Sequence, residues 1–166
     1  MKRNLYLLLM ATAVLFSCSE DKETTDAAAN SILGTWDLTA LEIDEATATD
    51  DMEMGEDLLN FLTAMDCYIV TLTFNEDLSL QTENSANYIQ INVNPGGTGL
   101  DVPCPTEKDI DNTVYTYENG VLTFIDDNQE TVTVAVVING DTMVVSAQEL
   151  GVDNFDTGGE LVFMRR

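Results

Sequence analysis

The side chains that could do chemistry in this chain are three cysteines and a large excess of carboxylates. The 166 residues include 30 Asp and Glu but only six Lys and Arg, and they include no His. A chain without His has no Ser-His or Cys-His nucleophile and lacks the commonest general base. Neighbouring carboxylates such as Asp109 and Asp111, or Asp126 and Asp127, could serve acid–base or metal chemistry, but turn formation accounts for them as well. We therefore expect no catalytic site, no cofactor and no metal site.

Cys18 lies directly after a segment typical of a secretory signal. Two basic residues open this segment, an apolar run extends from Leu5 to Phe16, and Ser17 supplies a small residue before the cysteine. The apolar run has 12 residues, whereas a membrane-spanning helix needs about 20. The pattern therefore predicts a signal peptide over residues 1–17 and no membrane-spanning anchor.

The tetrapeptide LFSC at residues 15–18 resembles the lipobox of bacterial lipoproteins. This resemblance implies that Cys18 becomes the first residue of the mature protein. It also implies acyl chains on its thiol and its amine, so that lipid anchors the chain to a membrane. The acidic stretch SEDKE at residues 19–23 is similar to the surface-export signal of Bacteroidota lipoproteins. It implies an outer-membrane lipoprotein exposed at the cell surface, with the periplasmic face as the alternative. An ordinary signal peptide followed by a coincidental cysteine is the other interpretation.

Cys67 and Cys104 remain as a pair once Cys18 is assigned to lipid. An even number of cysteines in an oxidising compartment predicts a disulfide between them. A metal site at this pair is not expected, because the chain has no His and neither cysteine has a second cysteine at metal-ligand spacing.

The rest of the chain divides into a short tether and one domain. Residues 18–30 are small and polar without apolar periodicity, which predicts a flexible tether. Residues 31–166 are long enough for one domain with its own core. The net charge of −24 excludes nucleic-acid binding, because phosphates would be repelled, and it suits cations or basic partners. A solvated acidic surface explains the same charge without any partner.

Alternating apolar and polar residues over the domain predict short β-strands. In the first strand the apolar residues from Trp36 to Ala40 share one face, whereas Leu41 and Ile43 share the other, which indicates a bulge or a strong bend. The dipeptide Asn139-Gly140 is typical of a type I′ hairpin turn. The predicted strands number about nine and are joined mainly by tight turns, which favours an antiparallel sheet. They cover residues 33–44, 68–74, 78–82, 88–93, 113–117, 121–125, 131–138, 142–147 and 161–164.

One segment between the first two strands has helical periodicity. Over Asp51–Met65 the apolar residues recur at helical intervals, and acidic residues crowd the first turns, where they complement the helix dipole. Thr49 or Asp50 can cap the amino end. The residues of the predicted apolar face are Met54, Leu58, Phe61, Leu62 and Met65.

The tripeptide Gly34-Thr35-Trp36 at the head of the first strand resembles the G-x-W motif that opens lipocalin and calycin barrels. Further pieces are similar, in order and spacing, to the small lipocalin-like lipoproteins of Bacteroidota. These pieces are LGTW (33–36), Cys67 before a strand, LTFN (72–75), Cys104 after an excursion, YENGVLTF (117–124), NGDTMVV (139–145) and LVFMRR (161–166). The resemblance implies an all-β fold, an antiparallel up-and-down lipocalin-like β-barrel of about 8–9 strands with one short α-helix between the first two strands. It also implies that Trp36 packs against an arginine of the last strand, Arg165 or Arg166, in a structural role.

The interior of such a barrel decides what it can bind. A barrel of about eight strands either fills its interior or holds one small apolar ligand, and the sequence leaves both open. The apolar face of the helix is expected either to cover the open end as a lid or to complete the core as a plug. The predicted inward set is Leu38, Val70, Leu72, Phe74, Leu80, Ile91, Tyr115, Leu122, Phe124, Val134, Val136, Met143, Val145 and Phe163.

The expected function is that of a membrane-anchored, lipocalin-like binding lipoprotein. Its partner would be a small apolar ligand or an envelope protein. The alternative is a non-enzymatic structural or accessory lipoprotein with a solid core, which acts through protein–protein contacts.

Overall fold

The computed structural model of the chain describes residues 31–93, 99–126, 128–150 and 158–166. Cys18, the predicted signal peptide over 1–17 and the predicted tether over 18–30 lie outside these ranges. Within them, no helix is both long and apolar enough to cross a membrane.

The described chain folds as a barrel of antiparallel strands with one α-helix. Its elements in chain order are β1 (Gly34–Glu42), α1 (Asp50–Thr63), β2 (Val70–Phe74), β3 (Ser79–Asn84), a 3-10 turn (Ala86–Tyr88), β4 (Asn92–Val93), β5 (Leu100–Asp101), β6 (Asp109–Glu118), β7 (Val121–Ile125), β8 (Thr131–Asn139), β9 (Thr142–Ser146) and β10 (Glu160–Arg165). Eight strands close into a barrel in the order β1-β10-β9-β8-β7-β6-β3-β2, so each barrel strand pairs with the next one along the chain and the last returns to the first. The predicted fold class, an up-and-down all-β barrel with one helix after the first strand, is confirmed.

The segment predicted as a strand over residues 88–93 is the main departure from the expected pattern. It contains the end of the 3-10 turn and the two residues of β4, which pair only with β5 outside the barrel. Ile91 is 51% exposed, so its place in the predicted inward set is wrong. The physical reason is that β6 occupies the edge of β3 over its whole length, which leaves no barrel edge for this segment.

The first strand contains the predicted bulge. Its register against β10 shifts between Leu38 and Ala40. Trp36 and Leu38 are buried before the shift and Leu41 is buried after it, so the inward face changes from even to odd positions. The bulge therefore keeps both halves of β1 in contact with the core.

The two ends of the barrel are distinguished by the strand termini that meet there. The closed end holds the start of β1 at Gly34, the end of β2 at Phe74 and the end of β10 at Arg165. The open end holds the start of β2 at Val70 and the end of β3 at Asn84. The chain enters α1 from β1 and returns from α1 to β2 at the open end.

One apolar cluster forms the core of the barrel. Every member of the predicted inward set except Ile91 belongs to it, either fully or partly buried. Trp36, Leu41 and Leu59 join it as well, and Leu59 is the residue through which α1 reaches this core. A second, smaller cluster of Leu62, Cys67 and Val102 joins α1 to the segment after β5.

Cys67 and Cys104 form the predicted disulfide, with their Cα atoms 5.8 Å apart. Cys67 lies between α1 and β2, and Cys104 lies between β5 and β6. The bond therefore ties the β4–β5 excursion to the start of a barrel strand.

Two tight hairpin turns, β6–β7 and β8–β9, have different backbone geometries. Asn119 and Gly120, between β6 and β7, both have positive φ, 53° and 79°, as a type I′ turn requires. Between β8 and β9 the ladder closes at Asn139 and Thr142, so Gly140 is the first central residue of the turn. Gly140 has a φ of 62°, and the second central residue is not in the left-handed region, which is the pattern of a type II′ turn. The predicted hairpin is present there, but the predicted type I′ geometry is wrong.

Candidate ligand-binding site

A cavity of about 290 Å³ lies inside the barrel, toward the open end. Its lining is mostly apolar and comes from inward-facing side chains of β1, β2, β3, β7, β9 and β10 and from Leu150, which follows β9. The volume is near the lower limit for small-molecule pockets, which is about 300 Å³. The residues that line this interior cavity are Leu38, Val70, Leu72, Leu80, Thr82, Asn84, Leu122, Phe124, Met143, Val145, Leu150, Leu161 and Phe163.

The sizes of the inward side chains explain where the cavity lies. At the closed end the inward positions carry Trp36, Phe74 and Tyr115, all buried. The rings of Phe74 and Tyr115 meet edge to face, with centroids 5.0 Å apart. Toward the open end, the same face of β2 and β3 carries the smaller Val70 and Thr82. Aromatic rings therefore fill the closed end, and the smaller side chains leave the space that forms the cavity.

Arg165 covers Trp36 at the closed end. Its guanidinium carbon lies 4.1 Å from the centroid of the buried indole ring. The guanidinium also donates hydrogen bonds to the main-chain carbonyls of Ser31 and Leu33. Gly34 belongs to the same contact, because a Cβ at this position, where φ is 117°, would lie 3.3 Å from Nη1 of Arg165. The motif residues therefore form a structural seal at this end of the barrel.

Arg166, the alternative partner for Trp36, lies instead on the outer side of the barrel wall. It forms two bonds with the Asp37 carboxylate, from Nη2 to Oδ1 at 2.6 Å and from Nε to Oδ2 at 3.0 Å. Asp37 is 5% exposed, and its Oδ1 also accepts a hydrogen bond from the Thr71 hydroxyl at 2.7 Å. Both arginines are thus engaged in holding the structure together.

A polar cleft of about 540 Å³ adjoins the interior cavity at the open end. It forms because β6 and β7 pair only as far as Tyr115 and Phe124, so the first half of β6 separates from the turn between β7 and β8. Thr82, Asn84 and Phe124 line both spaces. The other residues of this open-end cleft are Asp111, Asn112, Thr113, Ile125, Asp126 and Gln129. An apolar cavity therefore borders on a polar, acidic rim.

Among the polar residues of this rim, Asp111 and Asp126 belong to the neighbouring carboxylates noted in the sequence, whereas Thr82 and Asn84 are not among the predicted site residues. In the ladder, Thr82 pairs with Leu72 on one side and with Asp111 on the other. Directly opposed residues of antiparallel strands share a face, so Asp111 is on the inner side of the barrel. The predicted strand over 78–82 ends two residues before β3 ends. The predicted strand over 113–117 begins four residues after β6 begins. A signal was present, because Thr82 and Asn84 continue the alternation that places Leu80 inside.

The phenols near the core serve packing and hydrogen bonding. Burial raises the pKa of Tyr115 and Tyr117 above the ordinary value of about 10, and the Asp77 charge adds to the shift at Tyr115. Both phenols therefore stay protonated at neutral pH, and Tyr115 donates a hydrogen bond to the Asn75 carbonyl at 3.1 Å. Among the described residues, no three His, Cys, Asp or Glu side chains come together in a way that could hold a metal ion.

The helix begins as predicted but does not turn its predicted face to the barrel. Thr49 is the amino-terminal cap, and its Oγ1 accepts a hydrogen bond from the Met52 main-chain N–H. Met54, Phe61 and Met65 are exposed, with 59% of Met54 accessible to solvent. These three members of the predicted lid or plug are therefore wrongly placed.

A neighbouring face of α1 is the one that packs. Its buried residues are Met52, Leu59 and Leu62, of which Leu62 alone belongs to the predicted face. Apolar residues fall on two adjoining faces of this helix, so periodicity fits either, and the contact with β1 selects between them. Leu58 is partly buried against the smaller cluster. No residue of α1 lines the interior cavity, so α1 packs beside the cavity and does not close it.

The exposed apolar side of α1 forms a groove of about 500 Å³ with the β4–β5 excursion. Apolar side chains form both walls, and three carboxylates of α1 lie along the rim. The residues of this helix groove are Asp50, Glu53, Met54, Asp57, Leu58, Phe61, Ile91, Leu100 and Val102.

Comparison with protein-family models agrees with this geometry. Residues 32–145 match the model of the lipocalin-like domain, from the residues before β1 to nearly the end of β9. No significant match was found among curated proteins or among solved structures. The matched region covers most of the chain and most strands of the closed barrel. The chain therefore belongs to the family of lipocalin-like domains.

Proposed function

We propose that this protein is a lipid-anchored binding protein that holds a small apolar ligand inside its barrel. The observation that carries the proposal is the interior cavity of about 290 Å³ with its mostly apolar lining. Burial of apolar ligand surface there is favourable by about 25 cal/mol per Å². The alternative of a solid-core accessory protein is less well supported, because the inward side chains leave this volume unfilled.

Calorimetric titration of the mature chain with decanol tests the cavity as the binding site. Val70→Phe enlarges a partly buried side chain of the lining and is expected to weaken decanol binding at least about tenfold, because the ring occupies the ligand's volume. Val137→Phe is the matched control, since Val137 is 65% exposed on the outside of β8. Equal effects of the two variants, or none in either, would show that decanol binds elsewhere.

Membrane anchoring and localisation are the second part of the proposal, and they are supported by the sequence of residues 1–23. The apolar segment that ends in LFSC supports acylation at Cys18, and the acidic stretch that follows supports display on the outer surface of the outer membrane. Two or more acyl chains are needed for stable anchoring, which is what acylation of both the thiol and the amine of Cys18 would supply.

Mass spectrometry of the amino-terminal peptide tests acylation of Cys18, and membrane fractionation tests the location of the protein. Cys18→Ser is expected to lose the acyl mass and to keep residues 1–17, whereas Ser19→Ala keeps the acyl mass and the membrane location. Protease treatment of intact cells then separates surface display, which allows digestion, from the periplasmic face, which prevents it. A wild-type amino-terminal peptide without the acyl mass would exclude lipid on this cysteine as the anchor.

The helix groove supports a second candidate function, the binding of a protein partner. Met54, Phe61 and Leu100 expose apolar surface in the groove, and the rim is acidic. We infer a partner segment that carries both apolar and basic side chains, because such a segment complements the walls and the rim together. A second copy of this chain fits less well, since two molecules with a net charge of −24 repel each other.

An amphipathic helical peptide with leucine on one face and lysine on the other is the probe for this groove. Its control is the same peptide with glutamate in place of lysine. The lysine peptide is expected to bind, and Phe61→Asp is expected to weaken its affinity at least about fivefold. Val137→Asp adds the same charge at an exposed position that does not line the groove, so it should leave the affinity unchanged. Equal binding of the two peptides, or unchanged binding to Phe61→Asp, would rule this function out.

A further inference from the structure

We propose that the open-end cleft selects the head group of the ligand. The site would take an amphiphile whose apolar tail fills the interior cavity and whose head group is cationic or uncharged, and it would disfavour an anionic head such as a carboxylate. This inference rests on the proposed ligand-binding function and adds the chemical class of the ligand. Its starting point is that Thr82, Asn84 and Phe124 line both the cavity and the cleft.

The inner face of β3 and β6 changes from apolar to polar toward the open end. Along β3, the inward Leu80 is followed by Thr82 and Asn84. Opposite these two residues on β6 lie Asp111 and Asp109, respectively, and opposed residues share a face. The polar wall therefore begins where the apolar lining of the cavity ends, which is where the head of a bound amphiphile would lie.

Asp111 is an exposed carboxylate of this wall whose oxygens are not engaged by the described residues of the protein. Within the described parts of the chain, its carboxylate has no hydrogen-bond or ion-pair partner. Asp109, by contrast, accepts a hydrogen bond from the Tyr88 hydroxyl at 2.7 Å, and Asp126 accepts hydrogen bonds from two backbone N–H groups of its own turn. A cationic head group in the cleft would therefore meet a carboxylate whose oxygens are free to accept its hydrogen bonds.

An anionic head group would find no counter-charge in the same place. Among the described residues that line the two spaces, none is basic. Lys108 pairs with Glu83, Arg166 pairs with Asp37, and Arg165 is engaged at the closed end. The net charge of −24 adds a general repulsion of anions to this local one.

Titration of the mature protein with decylamine, decanol and decanoate, below their aggregation limits, tests the selection at constant tail length. Decylamine is expected to bind most tightly and decanoate most weakly. The ratio of their affinities should be at least about fivefold at low salt and should fall as salt is added. Asp111→Asn keeps the shape of the side chain and removes its charge. It is expected to lower this ratio about two- to fivefold without changing decanol affinity.

Asp51→Asn is the control for attraction by the acidic surface as a whole. It makes the same charge change at an exposed position of α1 that lines neither space, so it should leave the ratio nearly unchanged. If none of the three ligands binds, the proposed ligand-binding function itself is wrong. Three outcomes would overturn the head-group selection while leaving ligand binding by the cavity in place: equal affinity for all three ligands, tightest binding of decanoate, or the same change of the affinity ratio in both Asn variants.

Discussion

Two consecutive arginines at the end of the barrel act on opposite sides of its wall. Side chains alternate along a strand, so Arg165 lies on Trp36 while Arg166 pairs with the buried Asp37 on the outer side. The first contact seals the closed end and the second satisfies a carboxylate that would otherwise be buried without a partner. The proposed ligand would therefore enter at the open end.

Arg165→Ala is expected to lower the free energy of unfolding by about 2–3 kcal/mol. The variant loses the stacking on Trp36 and the hydrogen bonds to the carbonyls of Ser31 and Leu33. Urea unfolding measures the change. Lys108→Ala, which removes an ion pair on the surface, is the control and should stay within about 0.5 kcal/mol of the parent. Losses of similar size in both variants would contradict the role assigned to Arg165.

At the scale of elements, α1 acts as part of the barrel wall. The first strand pairs with β2 only over Gly34–Asp37. Further along β1, the Thr39 carbonyl accepts a hydrogen bond from the Thr63 hydroxyl of α1 at 3.0 Å, and Leu59 packs into the core beside it. The helix therefore covers the stretch of β1 that β2 does not reach, which leaves the other side of α1 to the groove.

Alanine substitutions on the two faces of α1 are expected to have very different effects on stability. Leu62→Ala should cost about 2–4 kcal/mol, because Leu62 is fully buried and its removal leaves a cavity. Met54→Ala should change stability by less than about 0.5 kcal/mol, because Met54 is mostly exposed. Chemical unfolding of both variants checks the assignment, and the reverse order of effects would mean that the helix packs through the face predicted from periodicity.

At the scale of the whole molecule, the disulfide joins the two candidate sites. Cys67 precedes a barrel strand whose side chains line the interior cavity, and Cys104 follows the excursion that forms one wall of the helix groove. The groove therefore depends on the cross-link for its second wall, whereas the barrel is held by its own ladders.

Removal of the disulfide is expected to affect stability and the groove more than the cavity. The two cysteines are 37 residues apart, and a loop of this length corresponds to about 3–4 kcal/mol in the chain-entropy model. The double variant Cys67→Ala, Cys104→Ala should unfold at lower urea concentration and bind the lysine peptide less tightly, while decanol binding at low temperature persists. Loss of decanol binding with an intact far-ultraviolet spectrum would show that the excursion supports the cavity too.

The sequence by itself determined the features that depend on neighbours along the chain. Alternation predicts the barrel strands, helical intervals predict α1, and the change of phase after Ala40 predicts the bulge in β1. The pairing of Cys67 and Cys104 follows once Cys18 is assigned to lipid, and the disulfide is present in the structure. The strands, the helix and the bulge are local features, because periods of about 2 and 3.6 residues and turn residues carry them.

Only the tertiary structure decided the features that depend on distant parts of the chain. The cavity exists because side chains from six strands leave a common volume unfilled, and no linear pattern adds up that volume. Contact with β1 selected the buried face of α1, and the occupied edge of β3 excluded the segment around Ile91 from the barrel. Asp111 became a site residue through its pairing with Thr82 on another strand. The physical reason is that packing and strand pairing are set by which surfaces meet in space, whereas the sequence specifies directly only the order of the residues.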